Sequence, residues 1–170
     1  FEKLFANIKH HIYDEGIISS FNSNGDVIRN NDSSILLAIC HIDYDEDIIK
    51  LFNIDNILFN CNDLLHSFRK KYNLDNLNLI GRYENDKYYN GHTWIICSLA
   101  LAQIYLRFSK KEKYKNLRKM AEKIINYIIS IDINLDLSEQ YDPINNKQYS
   151  AEKLTWNYSE FYMTYIEFFK

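Results

Sequence analysis

The sequence predicts an all-α fold in which helices lie in two layers. The chain of 170 residues contains one proline and four glycines, so it has few of the residues that end short strands or form tight turns. Its hydrophobic share of 46% and aromatic share of 15% are those of a folded domain with a sizeable core. Segments that are apolar on every side also alternate with segments that are apolar on one side only, as in stacked helical layers.

The beginning of the chain predicts one helix followed by a polar loop. Residues 2–13 predict an amphipathic helix, because apolar side chains recur there at near-helical spacing. These side chains are Leu4, Phe5, Ile8 and Ile12. Residues 19–31 are rich in Asn, Ser and Gly, which predicts a loop without regular structure.

Capping residues predict where the next two helices start. Asp32 and Ser33 are suited to cap the short apolar run of residues 35–40. Asn62 or Asp63 can cap the helix after that.

The centre of the chain predicts an inner helix and an outer helix. Residues 93–108 are apolar on nearly every side, which is typical of a helix buried all round. Gln103 and Arg107 interrupt this run, so it is shorter than the roughly 18 apolar residues of a membrane span. In residues 117–128 the apolar side chains form one stripe and the charged ones face away, which predicts an outer helix with a solvated side.

A last helix is predicted over residues 153–169, where aromatic and apolar side chains are expected to close the core. They are Leu154, Trp156, Phe161, Tyr162, Tyr165 and Phe169. No linker, internal repeat or low-complexity tract divides the chain. We therefore expect residues 1–170 to belong to a single domain.

Charge, cysteine and histidine content argue against several classes of function. The formal net charge of −3 gives little reason to expect a nucleic acid partner. The chain has three cysteines, Cys40, Cys61 and Cys97, and no two of them form a C-x-x-C pair. This number is compatible with one disulfide and one free thiol. Cys97 is expected to be a buried thiol within a helix. The histidines lack metal-ligand spacing, and the acidic residues 43–47 lack the glycine and glutamate of a calcium loop. We expect neither a metal nor a cofactor.

Glu139 is the candidate catalytic residue. It lies in a segment without a helical pattern, just before the last predicted helix. A carboxylate on such a segment can hold a water molecule and act as a general base. From the residues alone, a solvated loop charge is the competing interpretation.

The segment of residues 81–94 carries candidate sugar-binding side chains. Arg82 offers a planar fork of donors for hydroxyl groups, and Asp86 can accept hydrogen bonds from them. Tyr88 and Trp94 offer flat apolar faces on which a sugar ring can lie. From the residues alone, the favoured interpretation is that Arg82 pairs with an acid and that Tyr88 and Tyr89 are aromatic residues of the core.

Both segments resemble the glucoamylase family, glycoside hydrolase family 15, and they occur in the family's order. The later segment reads Ser138-Glu139-Gln140-Tyr141-Asp142, followed by Gln148, Ser150-Ala151 and Leu154-Thr155-Trp156. The earlier segment reads Gly81-Arg82-Tyr83, Asp86, Tyr88-Tyr89-Asn90-Gly91 and Trp94. The resemblance covers roughly residues 32–165.

The resemblance implies the C-terminal part of an (α/α)6 toroid, built from paired inner and outer helices. It implies an inverting enzyme that releases β-glucose from the non-reducing ends of starch, glycogen or maltooligosaccharides, with Glu139 as general base. The positions that resemble the family's substrate contacts are Arg82, Tyr83, Asp86, Tyr88 and Trp94. A secreted or vacuolar location is also implied.

Three departures from the family pattern affect what this resemblance implies. The family often has Pro-Glu after the Arg-Tyr pair and Asn-Pro before the Trp, where this chain has Glu84-Asn85 and His92-Thr93. The family's general acid lies upstream of everything matched, so we expect the chain to lack the other half of its domain and to be inactive alone. An enzyme for another α-glucoside such as trehalose or dextran, a non-catalytic carbohydrate-binding relative and a helical scaffold protein are the alternatives.

Overall fold

The computed structural model describes residues 2–13, 15–29, 31–42 and 52–170, and helices form most of its core. The described helices are α1 (Glu2–Lys9), α2 (Ser34–His41), α3 (Ile54–Tyr72), α4 (Ile95–Ser109), α5 (Leu117–Ile131) and α6 (Thr155–Phe169), with 3-10 turns at Tyr88–Gly91 and Glu112–Tyr114. The described strands are β1 (Ile12–Tyr13), β2 (Gly16–Ile17), β3 (Ser20–Phe21), β4 (Val27–Arg29), β5 (Thr93–Trp94), β6 (Gln140–Asp142) and β7 (Lys147–Tyr149). The prediction of a mainly helical fold is confirmed.

Helix α4 is the inner helix, as the sequence predicted. Every one of its residues except Arg107 is buried, and it packs against α2, α5 and α6. Helix α5 covers one side of α4 with a single stripe of buried residues, which are Leu117, Ala121, Ile124 and Ile128. The spacing of that stripe keeps the charged side chains of α5 on the opposite, solvated side.

Helix α6 differs from its prediction in the side that it buries. The residues that α6 buries are Asn157, Glu160, Thr164 and Glu167. Four of the aromatic residues expected to close the core are exposed instead: Trp156, Tyr162, Tyr165 and Phe169. Hydrogen bonds to polar groups on neighbouring elements decide this orientation, for example from Gln103 on α4 to Glu160.

Short hairpins replace the predicted end of the first helix and the predicted polar loop. Helix α1 ends at Lys9, and β1 pairs with β2 immediately afterwards. Within the predicted loop, β3 pairs with β4 in a second hairpin. The side chain of Asn22 closes that hairpin, because its Oδ1 accepts hydrogen bonds from the backbone N–H groups of Asn24 and Asp26.

The cap of α2 lies where the sequence predicted it, whereas the cap of α3 does not. At α2, Ser33 occupies the cap position, but Asp32 Oδ1 accepts the hydrogen bond from the N–H of Ser34 at 2.9 Å. Helix α3 starts at Ile54, because Asn53 caps it by accepting a hydrogen bond from the N–H of the second helical residue. Asn62 and Asp63, the predicted caps, therefore lie inside α3. The acidic residues 43–47, which were compared with a calcium loop, lie outside the described part of the chain.

A three-stranded antiparallel sheet joins distant segments at one end of α4. Strand β5 pairs with β6, with Trp94 opposite Gln140, and β6 pairs with β7, with Gln140 opposite Tyr149. Thr93 reinforces the first pairing, because its Oγ1 donates a hydrogen bond to the carbonyl oxygen of Tyr141 at 2.6 Å. This sheet places the two candidate segments side by side.

The cysteines lie in the core as free thiols. Cys40, Cys61 and Cys97 are all buried and none forms a disulfide, so the prediction for Cys97 is confirmed. Burial raises the pKa of the Cys40 and Cys97 thiols to about 12. Among the described helices, none combines the length and the apolar character needed to cross a membrane.

Candidate active site

A cavity of about 420 Å³ lies where the β5–β6 pair meets α2 and α6, and both candidate segments line it. Its wall includes Arg82, Tyr88, Trp94 and Glu139. Strand pairing sets Trp94 beside the residue that follows Glu139, and the N–H of Ile95 donates to the carbonyl oxygen of Glu139 at 3.3 Å. The sheet therefore brings together four of the six residues predicted for the site.

Glu139 is half-buried and its backbone and side chain are both held. Its N–H donates to the carbonyl oxygen of Ala151 at 2.8 Å. The hydroxyl of Ser150 donates to Glu139 Oε2, and the hydroxyl of Tyr88 lies 3.2 Å from the same serine oxygen. Since Ser150 engages one carboxylate oxygen, the other can accept a hydrogen bond from a water molecule or a ligand.

Arg82 is fixed by a bidentate ion pair with Asp86. The Nε and one terminal nitrogen of Arg82 each lie 2.7 Å from a different carboxylate oxygen of Asp86. The side chain of Asp86 is 2% exposed, whereas that of Arg82 is 34% exposed. Asp86 also accepts a hydrogen bond from the N–H of Tyr88 at 3.0 Å.

Through these contacts Asp86 supports the side chain of Arg82. Burial would raise the pKa of the Asp86 carboxyl, but hydrogen bonds from Arg82 and from the N–H of Tyr88 outweigh it and lower that pKa. The sequence predicted a sugar contact at this position. A buried carboxylate with both oxygens engaged is instead suited to orient Arg82 toward the cavity.

The guanidinium of Arg82 lies close to two aromatic rings, which also lie close to each other. It is 4.8 Å from the ring centroid of Trp94 and 5.2 Å from that of Tyr88. The two ring centroids are 6.0 Å apart with planes inclined by 40°. Stacking of a guanidinium on aromatic faces is favourable and limits its rotation, so the three side chains form one rigid wall. Trp94 is nearly buried in that wall and Tyr88 is exposed at its edge.

Tyr83, like Asp86, is a predicted contact that does not line the cavity. The guanidinium of Arg29 lies over its ring, 3.5 Å from the centroid. Arg29 also forms an ion pair with Asp32 at 2.7 Å. Tyr83 therefore packs against Arg29 and supports the part of the cavity wall that contains Asp32.

Asn85 and His92, which depart from the family pattern, help to fix the loop that carries Arg82. Asn85 takes a left-handed conformation with φ of 62°. His92 stacks on Tyr149 of β7 with ring centroids 4.8 Å apart, and its Nδ1 lies 3.0 Å from the hydroxyl of Tyr72. Burial lowers the pKa of His92, which favours its neutral form. His92 thus ties the arginine-bearing loop to α3 and to the hairpin next to Glu139.

The sequence did not reveal the roles of Ser150, Asp32 and Trp156. Ser150 holds Glu139 from a position 11 residues along the chain, and such a contact leaves no periodic signal. Asp32 lines the cavity, but Arg29 and the N–H of Ser34 engage its two oxygens. Trp156 is an exposed wall of the same cavity. In the described part of the chain, no three His, Cys, Asp or Glu side chains are grouped to hold a metal ion.

Comparisons with known proteins identify the fold. No protein-family model matches the sequence. A family 15 glucoamylase from Hypocrea jecorina superposes with a TM-score of 0.77 and 20% identity, over 94% of this chain and 35% of that one. The glucoamylase of Hormoconis resinae gives a TM-score of 0.72 and 18% identity, over 93% and 35%. The chain spans about a third of the length of these structures, and it has the fold of part of the glucoamylase α/α toroid.

Proposed function

We propose that this chain provides the general base side of an inverting, exo-acting α-glucosidase. Its substrates would be starch, glycogen or maltooligosaccharides, from whose non-reducing ends it would release β-glucose. One observation carries the proposal: Glu139, Arg82, Tyr88 and Trp94 share the wall of one cavity within a glucoamylase-type fold.

In this proposal Glu139 deprotonates the attacking water molecule. An inverting glycosidase needs a carboxylate on one face of the sugar and a carboxylic acid on the other, about 6.5 to 9.5 Å apart. The hydrogen bond from Ser150 orients the carboxylate of Glu139 and leaves its second oxygen for the water. Tyr88 extends this arrangement, because its hydroxyl contacts Ser150.

Arg82, Tyr88 and Trp94 are proposed to hold the sugar. Asp86 engages Nε and one terminal nitrogen of Arg82, which leaves the N–H groups of its other terminal nitrogen for sugar hydroxyls. The rings of Tyr88 and Trp94 offer apolar faces to a pyranose. In this proposal Asp86 and Tyr83 act through Arg82 and the wall, without touching the sugar.

The general acid is proposed to come from a part of the toroid that this chain does not match. Asp32 is the other carboxylate in the cavity wall, and its oxygens are engaged by Arg29 and by the N–H of Ser34. A carboxylate held in this way is poorly suited to donate a proton to a leaving oxygen. The same observation favours a second candidate, a carbohydrate-binding protein that retains the base side alone.

Maltoheptaose titration of the 170-residue chain tests the carbohydrate site. Both tryptophans of the chain, Trp94 and Trp156, line the cavity, so intrinsic fluorescence reports binding there. We expect saturable quenching, and we expect Arg82→Ala to weaken it about 10- to 100-fold, since a charged hydrogen bond is worth about 1.5–3 kcal/mol. Tyr13→Ala is the control, because Tyr13 is exposed away from the cavity.

Either of two results would count against the site. One is the absence of saturable quenching in the wild-type chain. The other is equal affinity in wild type, Arg82→Ala and Trp94→Ala. Competition by trehalose or dextran, with none by maltoheptaose, would keep the site and change the proposed substrate.

A further inference from the structure

The segment that leads to Glu139 is buried although it has no regular secondary structure. Residues 135–139 lie between α5 and β6 in neither a helix nor a strand. Leu137 is fully buried and Ser138 is 5% exposed. Buried backbone N–H and C=O groups need hydrogen-bond partners, and an irregular segment cannot find all of them within itself. Its partners must therefore come from other elements of the fold.

Neighbouring elements engage the backbone of this segment before it reaches Glu139. On strand β7, Gln148 Oε1 accepts a hydrogen bond from the N–H of Ser138 at 2.6 Å, and its Nε2 donates to the carbonyl oxygen of Asp136 at 3.0 Å. The N–H of Leu154, just before α6, donates to the carbonyl oxygen of Leu137 at 3.2 Å. The remaining carbonyl, that of Ser138, belongs to the peptide group that joins Ser138 to Glu139.

Asn157 on α6 is the partner of that carbonyl. Its Nδ2 donates to the carbonyl oxygen of Ser138 at 2.8 Å and lies 3.3 Å from that of Leu137. Asn157 is fully buried in the first turn of α6. In the part of the chain that the structure describes, no other donor engages the carbonyl oxygen of Ser138. Because water is excluded from this contact, the hydrogen bond is well suited to hold the backbone in place.

The peptide group between Ser138 and Glu139 is therefore held from both sides. Its carbonyl oxygen accepts the hydrogen bond from Asn157, and its N–H donates to the carbonyl oxygen of Ala151 at 2.8 Å. A peptide group is planar, so partners on its two opposite sides fix the orientation of the whole unit. The Cα of Glu139 is part of this unit, and its position is fixed with it.

We infer that Asn157 is a positioning residue that sets the place of Glu139 in the cavity. Ser150 holds the carboxylate of Glu139, whereas Asn157 holds the backbone from which that carboxylate extends. The same turn of α6 carries Trp156, which lines the cavity, so it connects the wall to the proposed base. The effect on catalysis rests on the proposed function, while the effect on the backbone does not.

Amide hydrogen exchange of the 170-residue chain, followed by NMR, tests the effect on the backbone. In Asn157→Ala the carbonyl of Ser138 loses its partner, and we expect the N–H of Glu139 to exchange about tenfold faster or more. The N–H of Leu101, fully buried in α4, corrects for any change in global stability.

Thr164→Val is the matched control for this experiment. It removes a buried donor from the same helix, because Thr164 Oγ1 donates to the carbonyl oxygen of Glu160 at 2.7 Å. That hydrogen bond lies within α6, away from the segment that leads to Glu139. The corrected exchange rate of the Glu139 N–H should therefore equal that of the wild type.

The effect on catalysis should appear in kcat. Within a complete toroid, Asn157→Ala should lower kcat for maltoheptaose about 10- to 100-fold with little change in KM, because a displaced base weakens the transition state and leaves the sugar contacts in place. Thr164→Val should retain the kcat and KM of the wild type.

Two results would overturn the inference. One is the same corrected exchange rate for the Glu139 N–H in Asn157→Ala and Thr164→Val. The other is faster exchange in Asn157→Ala with an unchanged kcat. A wild-type toroid that releases no glucose would count against the proposed function alone, since the exchange rates would still decide whether Asn157 holds the backbone of Glu139.

The wild-type chain keeps the inference testable if Asn157→Ala fails to fold. The side-chain amide protons of Asn157 should exchange about tenfold more slowly, or slower still, than those of the exposed Asn73, because Asn157 is buried and hydrogen-bonded. Equal exchange of the two side-chain amides would overturn the inference.

Discussion

The variant Asp86→Asn removes the buried charge that holds Arg82. In the wild type, Asp86 accepts two hydrogen bonds from Arg82 at 2.7 Å and one from the N–H of Tyr88 at 3.0 Å. Asparagine has nearly the same shape, but one of its two terminal groups is a donor that faces the guanidinium. The substitution therefore breaks the bidentate pair without opening a cavity.

The cost follows from the burial of the two partners. A hydrogen bond to a charged group contributes about 1.5–3 kcal/mol when it is protected from water. The side chain of Asp86 is protected, but a third of Arg82 is exposed, so solvent screens part of the interaction. We expect Asp86→Asn to lower the free energy of unfolding by about 1–2 kcal/mol at pH 7.

The effect of Asp86→Asn should depend on pH in a defined direction. The pKa of Asp86 is lower in the folded chain than in the unfolded chain, because hydrogen bonds and the charge of Arg82 outweigh burial. Its contribution to stability is therefore complete above the ordinary aspartate pKa of about 3.9 and is lost as the pH falls through the folded pKa. The difference between wild type and variant should shrink below about pH 4.

Urea unfolding monitored by circular dichroism measures this difference. With a slope of roughly 2 kcal/mol per molar urea, the midpoint should fall by about 0.5–1 M at pH 7. Glu84→Gln is the control, because Glu84 is an exposed carboxylate in the same loop and its loss should leave the midpoint unchanged. Equal midpoints for Asp86→Asn and wild type at pH 7, or a difference independent of pH, would show that the charge of Asp86 does not stabilise the fold through Arg82.

Three further substitutions test the core, the loop that carries Arg82 and the proposed base. Leu99→Ala should lower the free energy of unfolding by about 2.5–5 kcal/mol in thermal melts, since Leu99 is fully buried in α4. Gly91→Ala should cost about 2 kcal/mol or more, because φ is +59° and the new Cβ would collide with the carbonyl oxygen of Asp86. Within a complete toroid, Ser150→Ala should lower kcat about tenfold with little change in KM, because only the orientation of Glu139 is lost.

Each of these has a matched comparison. Ile133→Ala should leave stability unchanged, since Ile133 is almost fully exposed. Gly25→Ala shares the positive φ with Gly91→Ala but meets open space, so a similar loss in both variants would show that the predicted collision is absent. Ser150→Gly also lacks the hydroxyl and suits the left-handed backbone at this position, where φ is 68°, so it should lose kcat to the same extent; an unchanged kcat in both variants would exclude the hydrogen-bond explanation.

The helical core was predictable because its signal is local. The run of residues 93–108 is apolar on all sides, and this pattern alone indicated the inner helix α4. The outer helix α5 was equally visible from its single stripe. The short strands were not predictable, because strands of two or three residues have no measurable periodicity. In addition, β5 pairs with a strand that lies 48 residues further along the chain.

The candidate site was predictable through the resemblance and only partly through physical pattern. Arg82, Tyr88, Trp94 and Glu139 line one cavity, as residues of a shared site should. The hydrogen bond from Ser150 to Glu139 depends on a turn between β7 and α6, which the sequence does not signal. The orientation of α6 was mispredicted because its polar residues find partners inside the fold, which a hydrophobic pattern cannot show.

The anomer of the glucose released from maltoheptaose, observed by proton NMR within the first minutes of reaction, tests the proposed role of Glu139 most directly. The enzyme is a complete toroid that contains residues 1–170, compared with its Glu139→Gln variant. We expect β-glucose from the wild type and a loss of about 10²- to 10⁴-fold in the variant. Release of α-glucose, or an unchanged rate in Glu139→Gln, would contradict the role of Glu139 as the base of an inverting enzyme.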